Sequence, residues 1–434
     1  MKHAKPSRLL RALLLSSVLL GGAAYAQPDP EDLAGQPEAL QALLARTLEQ
    51  DPQLLVARAL KVASNERRLQ ARSRFAPNLN AEASFGRSKD TLYNVPVDGE
   101  TDQSSVGVSW NLFNAGADTA ELRGATRELA AAHEDVRRAR EEIGERVAYA
   151  YAELLRQQAL LPASRQRMDE ASRLVALVGR ATEAGKLAPS DENQARAAML
   201  DAEVSHGQLL ADLRASRDRL AILTGVTLRP PQAVQLPASY FLADAPAGDA
   251  GIEAAARLRA QAAEARVLPW VSTISPRVDL SYNRLLNNET RPVSEPQSVE
   301  GWQIVARWDL PLGGENQARR AEAIARAAAA QAEADRVERT QLSELATLPP
   351  RMAHSRTAMG QLDEQIKQYD ALVRAGAMQY QAGKRSLLQL VQLLDSRYVA
   401  QQRRAEENFK LVTAQLRYLA LRGDFLPALG LTPD

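Results

Sequence analysis

The chain has 434 residues, 54 Lys and Arg against 53 Asp and Glu, and no cysteine. That charge balance gives no support to a nucleic-acid partner. The missing thiol excludes disulfides, a thiolate metal site, a cysteine nucleophile and a lipid on a cysteine.

Residues 1–26 read as a signal peptide. Lys2, Lys5, Arg8 and Arg11 precede an apolar stretch from Leu9 to Leu20, and Ala24-Tyr25-Ala26 is a small-x-small cleavage pattern. The apolar stretch is shorter than the ~20 residues of a spanning helix, which argues against a membrane anchor. Removing the segment leaves 50 basic against 53 acidic residues, a net charge near −3. Beyond it no comparably long apolar run occurs, so a helical membrane protein is disfavoured, whereas barrel strands carry a weaker signal and stay possible. Aromatics make up only 5% while alanine and arginine abound, a composition that favours long helices.

The mature chain is a duplication. Val108-Ser-Trp110-Asn-Leu112 matches Ala306-Arg-Trp308-Asp-Leu310, Ala184-Gly185-Lys186 matches Ala382-Gly383-Lys384, and Leu223-Thr-Gly225 matches Leu421-Arg-Gly423. All three pairs share an offset of 198 residues. The match of Pro77 with Pro276 is offset by 199. The expected units are 27–225 and 251–425, joined by a breaker-rich linker at 226–250 and followed by a tail at 426–434.

Each unit starts with a strand pair. Leu79, Ala81, Ala83 and Phe85 alternate with Asn78, Asn80, Glu82 and Ser84. Val106, Val108, Trp110 and Leu112 alternate with Ser105, Gly107, Ser109 and Asn111. In the second unit Val278, Leu280 and Tyr282, then Trp302, Ile304, Ala306, Trp308 and Leu310, do the same, with Val305 the exception. The expected strands are about 77–87, 103–113, 276–286 and 299–311, with loops at 88–102 and 287–299. One apolar and one polar face over about ten residues fits a membrane-barrel strand, and Trp110, Tyr282, Trp302 and Trp308 would form its aromatic belt. Strands of a soluble sandwich show the same alternation. Four strands cannot close a barrel, and an open edge in lipid leaves backbone groups without partners, so closure requires further copies.

From Asp118 to Thr182 only Pro162 interrupts a helical pattern, enough for about 100 Å of helix. From Asp191 to Leu223, small and medium residues from Ala195 through Leu209 to Leu223 recur at three- and four-residue steps, a packing seam. Pro349-Pro350 is expected to kink or break the matching helix of the second unit.

The order strand pair, long helix, Gly-containing turn, long helix, all duplicated, resembles the TolC family of outer-membrane efflux proteins. The sharpest local match is Tyr380-Gln-Ala-Gly383-Lys-Arg385-Ser386-Leu387, with the sister turn Ala184-Gly185-Lys-Leu187-Ala-Pro-Ser190-Asp191. The resemblance implies a mainly α fold with a small β part. Three copies would form a twelve-stranded outer-membrane β-barrel continued by a periplasmic α-helical barrel. It implies a homotrimer in outer-membrane lipid that works with a periplasmic adaptor and an inner-membrane ABC or RND-type pump, in efflux or type I secretion. The lack of a cysteine for lipidation leans toward secretion. By the same resemblance, Asp191, Tyr380 and Arg385 would latch the entrance. Gly185, Leu187, Ser190, Gly383, Ser386 and Leu387 would line the adaptor grooves. The resemblance also implies that Gln389 and Gln392 would stand at the narrowest ring, where the best-known member of the family has carboxylates.

No cofactor or enzyme activity is expected. His3, His133, His206 and His354 show no metal-ligand spacing, and no nucleophile elbow, phosphate loop or dinucleotide fingerprint occurs. The alternative function is a secreted helical rod, a spacer or adhesin stalk, which needs no apolar belt.

Overall fold

The computed structural model describes residues 39–92, 95–225, 231–234, 236–241, 251–291 and 300–431. The expected signal peptide, parts of the linker, and residues 292–299 lie outside these. Two helices open the described chain, α1 (Leu40–Gln50) and α2 (Pro52–Ser73). Between them Asp51 accepts a hydrogen bond from the Gln53 N–H at 2.7 Å, and Pro52 takes the first helical position, where no N–H is needed.

The strands β1 (Asn78–Leu92) and β2 (Val95–Asn114) follow, then α3 (Ala117–Glu183) and α4 (Pro189–Thr224). The second half repeats the order with α5 (Gly251–Ala265), β3 (Arg277–Arg291), β4 (Glu300–Arg307), α6 (Glu315–Gln381), α7 (Leu387–Arg422) and the short α8 (Phe425–Ala428). The long helices have 67 and 36 residues in each half, and all their ends keep the 198-residue offset. At 1.5 Å per residue, 67 residues span about 100 Å.

Three expectations change here, the first being that 287–291, expected as part of a loop, continues β3 to Arg291. The 88–102 link is strand rather than loop, because β1 and β2 stay paired as far as Leu92 and Val95. Pro349-Pro350 does not break α6. Both prolines, like Pro162 in α3, lie on the exposed side, while Leu348 and Met352 are buried. Each proline leaves a backbone carbonyl without its helical N–H, and on the exposed side water can satisfy that carbonyl.

The main core gathers at the middle of α3. Leu43, Leu44, Ile143, Tyr151, Leu220, Leu416 and Leu419 pack there. Phe425, fully buried, lies over Gly144, whose Cβ would stand 2.5 Å from Phe425 Cε1. Residues 425–428, which straddle the start of the expected tail, are therefore core. Tyr151 fastens the linker: its hydroxyl accepts from the Gln232 N–H at 2.7 Å and donates to the Gln232 carbonyl at 2.8 Å.

Away from this core, arginines bridge the helices. Arg167 of α3 holds Asp201 of α4 and Asp395 of α7 at 2.6 and 2.7 Å. Arg417 of α7 holds Glu145 of α3 and Glu344 of α6 at 2.9 and 2.6 Å. Arg397 of α7 pairs with Glu170 of α3 and Asp370 of α6. Each guanidinium spans three helices, which its forked donors permit. Near the sheet the helices lie in the order α2, α3, α5, α6; toward the far turns they lie α4, α3, α7, α6.

Candidate functional site: the sheet face and the helical tip

The four strands form one antiparallel sheet in chain order. Alternation of side chains turns the register into rows. Leu79 pairs with Val108, Val108 with Tyr282, and Tyr282 with Trp302, so one apolar row crosses all four strands. A second row joins Trp110, Leu280 and Ile304. Among the described residues nothing covers the first row: its residues are 75, 36, 39 and 73% exposed in order across the sheet. The opposite face carries Asn80, Gly107, Asn283 and Gly301 in one row and Asn78, Ser109, Ser281 and Gln303 in another. A side chain at Gly107 would collide with Asn283 Oδ1 and meet Asn80 Nδ2 at 3.0 Å, so glycine leaves room for both amides between the strands.

β1 and β4 are the free edges of the sheet. A sheet with one apolar and one polar face and two open edges is not a finished structure in lipid, where each edge N–H and C=O needs a partner.

Three of the four expected belt aromatics sit on the sheet. Tyr282 donates its hydroxyl to Glu300 at 3.2 Å, and Trp110 donates its indole N–H to the Phe75 carbonyl at 2.8 Å. Trp308 instead follows the end of β4, exposed at the junction with the helices. There it is joined by exposed Phe75, Phe113 and Trp270. Sequence reasoning passed over these three because they flank the alternating segments rather than belong to them. The junction is fixed by polar contacts: Asn111 to Asp118 at 2.5 Å, Ser272 to the Ala115 carbonyl at 2.8 Å, and Asn316 to the Thr273 carbonyl at 3.1 Å.

At the other end of the long helices lie two matching turns. The Gly185 and Gly383 N–H groups donate to Thr182 and Tyr380, each at 2.9 Å. Lys186 and Lys384 donate to Ala181 and Gln379, each at 2.8 Å. Both glycines have positive φ, 68° and 72°, with open space around the missing side chain. Glycine is required here by conformation, not by crowding.

Between the two turns is a cavity of about 610 Å³ that brings together Asp191, Tyr380 and Arg385 with Arg180 and Lys186. The Tyr380 hydroxyl is buried without a hydrogen-bond partner among the described residues. Burial raises its pKa, and the negative charge of Asp191 raises it further. The three expected latch residues therefore share a cavity, but among the described residues no hydrogen bond or ion pair joins them.

The other tip residues divide. Gly185, Ser190, Gly383 and Ser386 are exposed and Leu187 is partly so. Leu387, expected at the docking groove, is only 3% exposed, packed with Leu174, Val178, Ala195 and Leu390; it is a core residue in this chain. Gln389 and Gln392 are both exposed, on the side of α7 away from Leu387, Leu390 and Leu394. Gln389 also caps its helix: its side-chain Oε1 accepts the Ser386 N–H while Ser386 Oγ accepts the Gln389 N–H, both at 3.4 Å.

Residues 43–226 match the family described as "Outer membrane efflux protein". The chain has the fold of the TolC-like outer-membrane channels. It superimposes on a membrane protein from Pseudomonas aeruginosa with a TM-score of 0.79, at 18% identity over 88% of this chain and 89% of that one. The outer membrane protein VceC from Vibrio cholerae gives 0.75 at 22% identity, covering 91% and 97%. The Campylobacter jejuni CmeC outer membrane channel gives 0.77 at 13% identity, covering 89% and 86%. No curated protein matches the sequence.

Proposed function

We propose that the chain is one third of an outer-membrane exit duct. Three copies would close a twelve-stranded barrel by pairing β4 of each copy with β1 of the next. Their long helices would continue it as a tunnel through the periplasm. The observation that carries this reading is the uncovered apolar row Leu79–Val108–Tyr282–Trp302, on a sheet that runs directly into helices about 100 Å long. Lipid is the solvent that such a row fits, and the polar face opposite it suits a water-filled lumen. Small barrels fill with their own side chains, so a passage favours three copies over two. The secreted-rod alternative leaves the apolar row without a purpose.

The family match supports transport, and the fold is that of channel proteins. Among the described residues no His, Cys, Asp and Glu cluster suited to a metal occurs. At the tip, Asp191, Tyr380 and Arg385 would restrain the entrance, and a pump–adaptor partner that binds the open state better would release it. The exposed turn residues Gly185, Leu187, Ser190, Gly383 and Ser386 would face the adaptor. The duct would serve either tripartite efflux or type I secretion. The test is single-channel conductance of the detergent-extracted protein in a planar bilayer, beside the double variant Asp191→Ala/Arg385→Ala. A small stable conductance that rises in the double variant supports both duct and latch. Absence of conductance from verified trimers of either protein counts against the duct.

A further inference from the structure

The two turns are built alike, but their packing is not. At the repeat offset of 198, Gly376 of α6 matches Val178 of α3, and Arg385 matches Leu187. In the first hairpin Val178 is fully buried and Leu187 packs against the same apolar cluster. In the second hairpin both residues have changed together. The valine side chain is gone and the leucine has become an arginine.

The geometry links the two changes. Gly376 is a buried glycine inside a helix, a position where glycine is less favourable than alanine. Its φ is not left-handed, so the backbone does not require it. The space does: a Cβ there would lie 2.9 Å from Arg385 Nη1, 3.1 Å from Leu393 Cδ1 and 3.5 Å from Leu390 Cδ1. The missing side chain is a notch in α6, and the Arg385 guanidinium lies in it. No hydrogen bond or ion pair to a described residue holds that guanidinium, although it lines the cavity shared with Asp191 and Tyr380. The notch itself fixes where the charge stands.

We infer that Gly376 is the positioning residue of the tip: it seats Arg385 against α6 so that the guanidinium is presented to the entrance cavity. The inference rests on the closed-entrance reading above. A methyl group at 376 meets the far end of a flexible side chain first, so the guanidinium yields before the helix does. Gly376→Ala should displace Arg385 while leaving helix and assembly intact, because alanine is the better helix former. A glycine that served only helix packing would behave differently: its replacement would change the assembly's stability and leave Arg385 where it was.

The experiment records single-channel conductance of the wild-type chain, Gly376→Ala, Arg385→Ala and the double variant, each as a purified assembly. The heat-dissociation midpoint of every sample is measured alongside. The expected result is a several-fold conductance rise in Gly376→Ala that equals the rise in Arg385→Ala. The double variant should rise no further, and Gly376→Ala should keep a midpoint at or above wild type. Wild-type conductance in Gly376→Ala beside a raised Arg385→Ala overturns the inference alone. Additive rises overturn it too, because the two residues would then act independently. Equal conductance in wild type and Arg385→Ala overturns the closed-entrance reading and this inference with it.

Discussion

The helices α3 and α6 have the same length, stand at the same place in the two repeats, and live in different surroundings. α3 buries residues along its whole course, from Asp118 to Val178, and touches α2, α4, α5 and α7. α6 buries only Ala334, Gln341, Leu348, Met352, Ser355, Val373 and Gly376, and its main partners are α5 and α7. Duplication copied the element but not its environment. One copy became the spine of the subunit and the other its margin. α6 follows β4, a free edge of the sheet; the opposite margin of the helical layer is α2, which leads into β1, the other free edge, and farther along toward the turns it is α4. A ring of copies would give each margin its missing neighbour.

The two helices should differ most at the core. Phe425→Ala empties a fully buried site against α3 and should cost about 3–5 kcal/mol in denaturant unfolding. Ile324→Ala on α6, where the side chain is 41% exposed, should leave subunit unfolding nearly unchanged and lower the dissociation midpoint of the assembly. Equal losses in subunit unfolding at the two sites would erase the distinction between spine and margin.

On the sheet, Trp302→Arg puts a charge in the apolar row and should cost roughly 2–4 kcal/mol if the row sits at mid-bilayer. Gln303→Arg, one residue on and facing the other way, should cost far less. Folding yield into lipid vesicles reads the difference. Tyr151→Phe leaves the Gln232 N–H and carbonyl without their partner and should cost about 1–3 kcal/mol, measured by the same unfolding assay.

A pH-dependent effect is expected from Glu141 on α3. Burial pushes its carboxyl up from 4.5 to about 7, against the Leu426 N–H and the charges of Arg137 and Arg140. The folded state then holds a proton that the unfolded state has released. Stability should fall as pH rises from about 4.5 to about 7 and level off above that. Glu141→Gln should flatten this slope in a pH series of unfolding midpoints; an unchanged slope would assign it to other groups. The mildest expectation concerns the exposed amides at the tip. Gln389→Glu with Gln392→Glu should make conductance sensitive to a multivalent cation applied from the tunnel side, while the wild type resists it. Micromolar block of the wild type would contradict this.

Much of the fold was legible because its signals are periodic. A constant offset revealed the duplication, alternation revealed the strand faces, and the seam from Ala195 to Leu223 proved buried or half-buried throughout. What could not be read depends on neighbours in space. Pro349-Pro350 looks like a break until both rings are seen on the exposed side. Leu426 and Ala428 look like tail residues until they are seen buried beside Phe425, which itself packs on Gly144. Leu387 and Gln389 stand two residues apart in the sequence, yet one is core and the other caps a helix. Gly376 carries no local signal: its meaning appears only when Val178 and Leu187 are set against Gly376 and Arg385.

The central claim is that one chain is an unfinished part of a lipid-embedded ring. It is tested most directly by measuring the molar mass of the protein extracted with detergent from outer membranes, with the detergent contribution subtracted. Three copies per particle, recovered from the membrane fraction, is the expected result. A single copy recovered from the soluble periplasmic fraction would contradict the account.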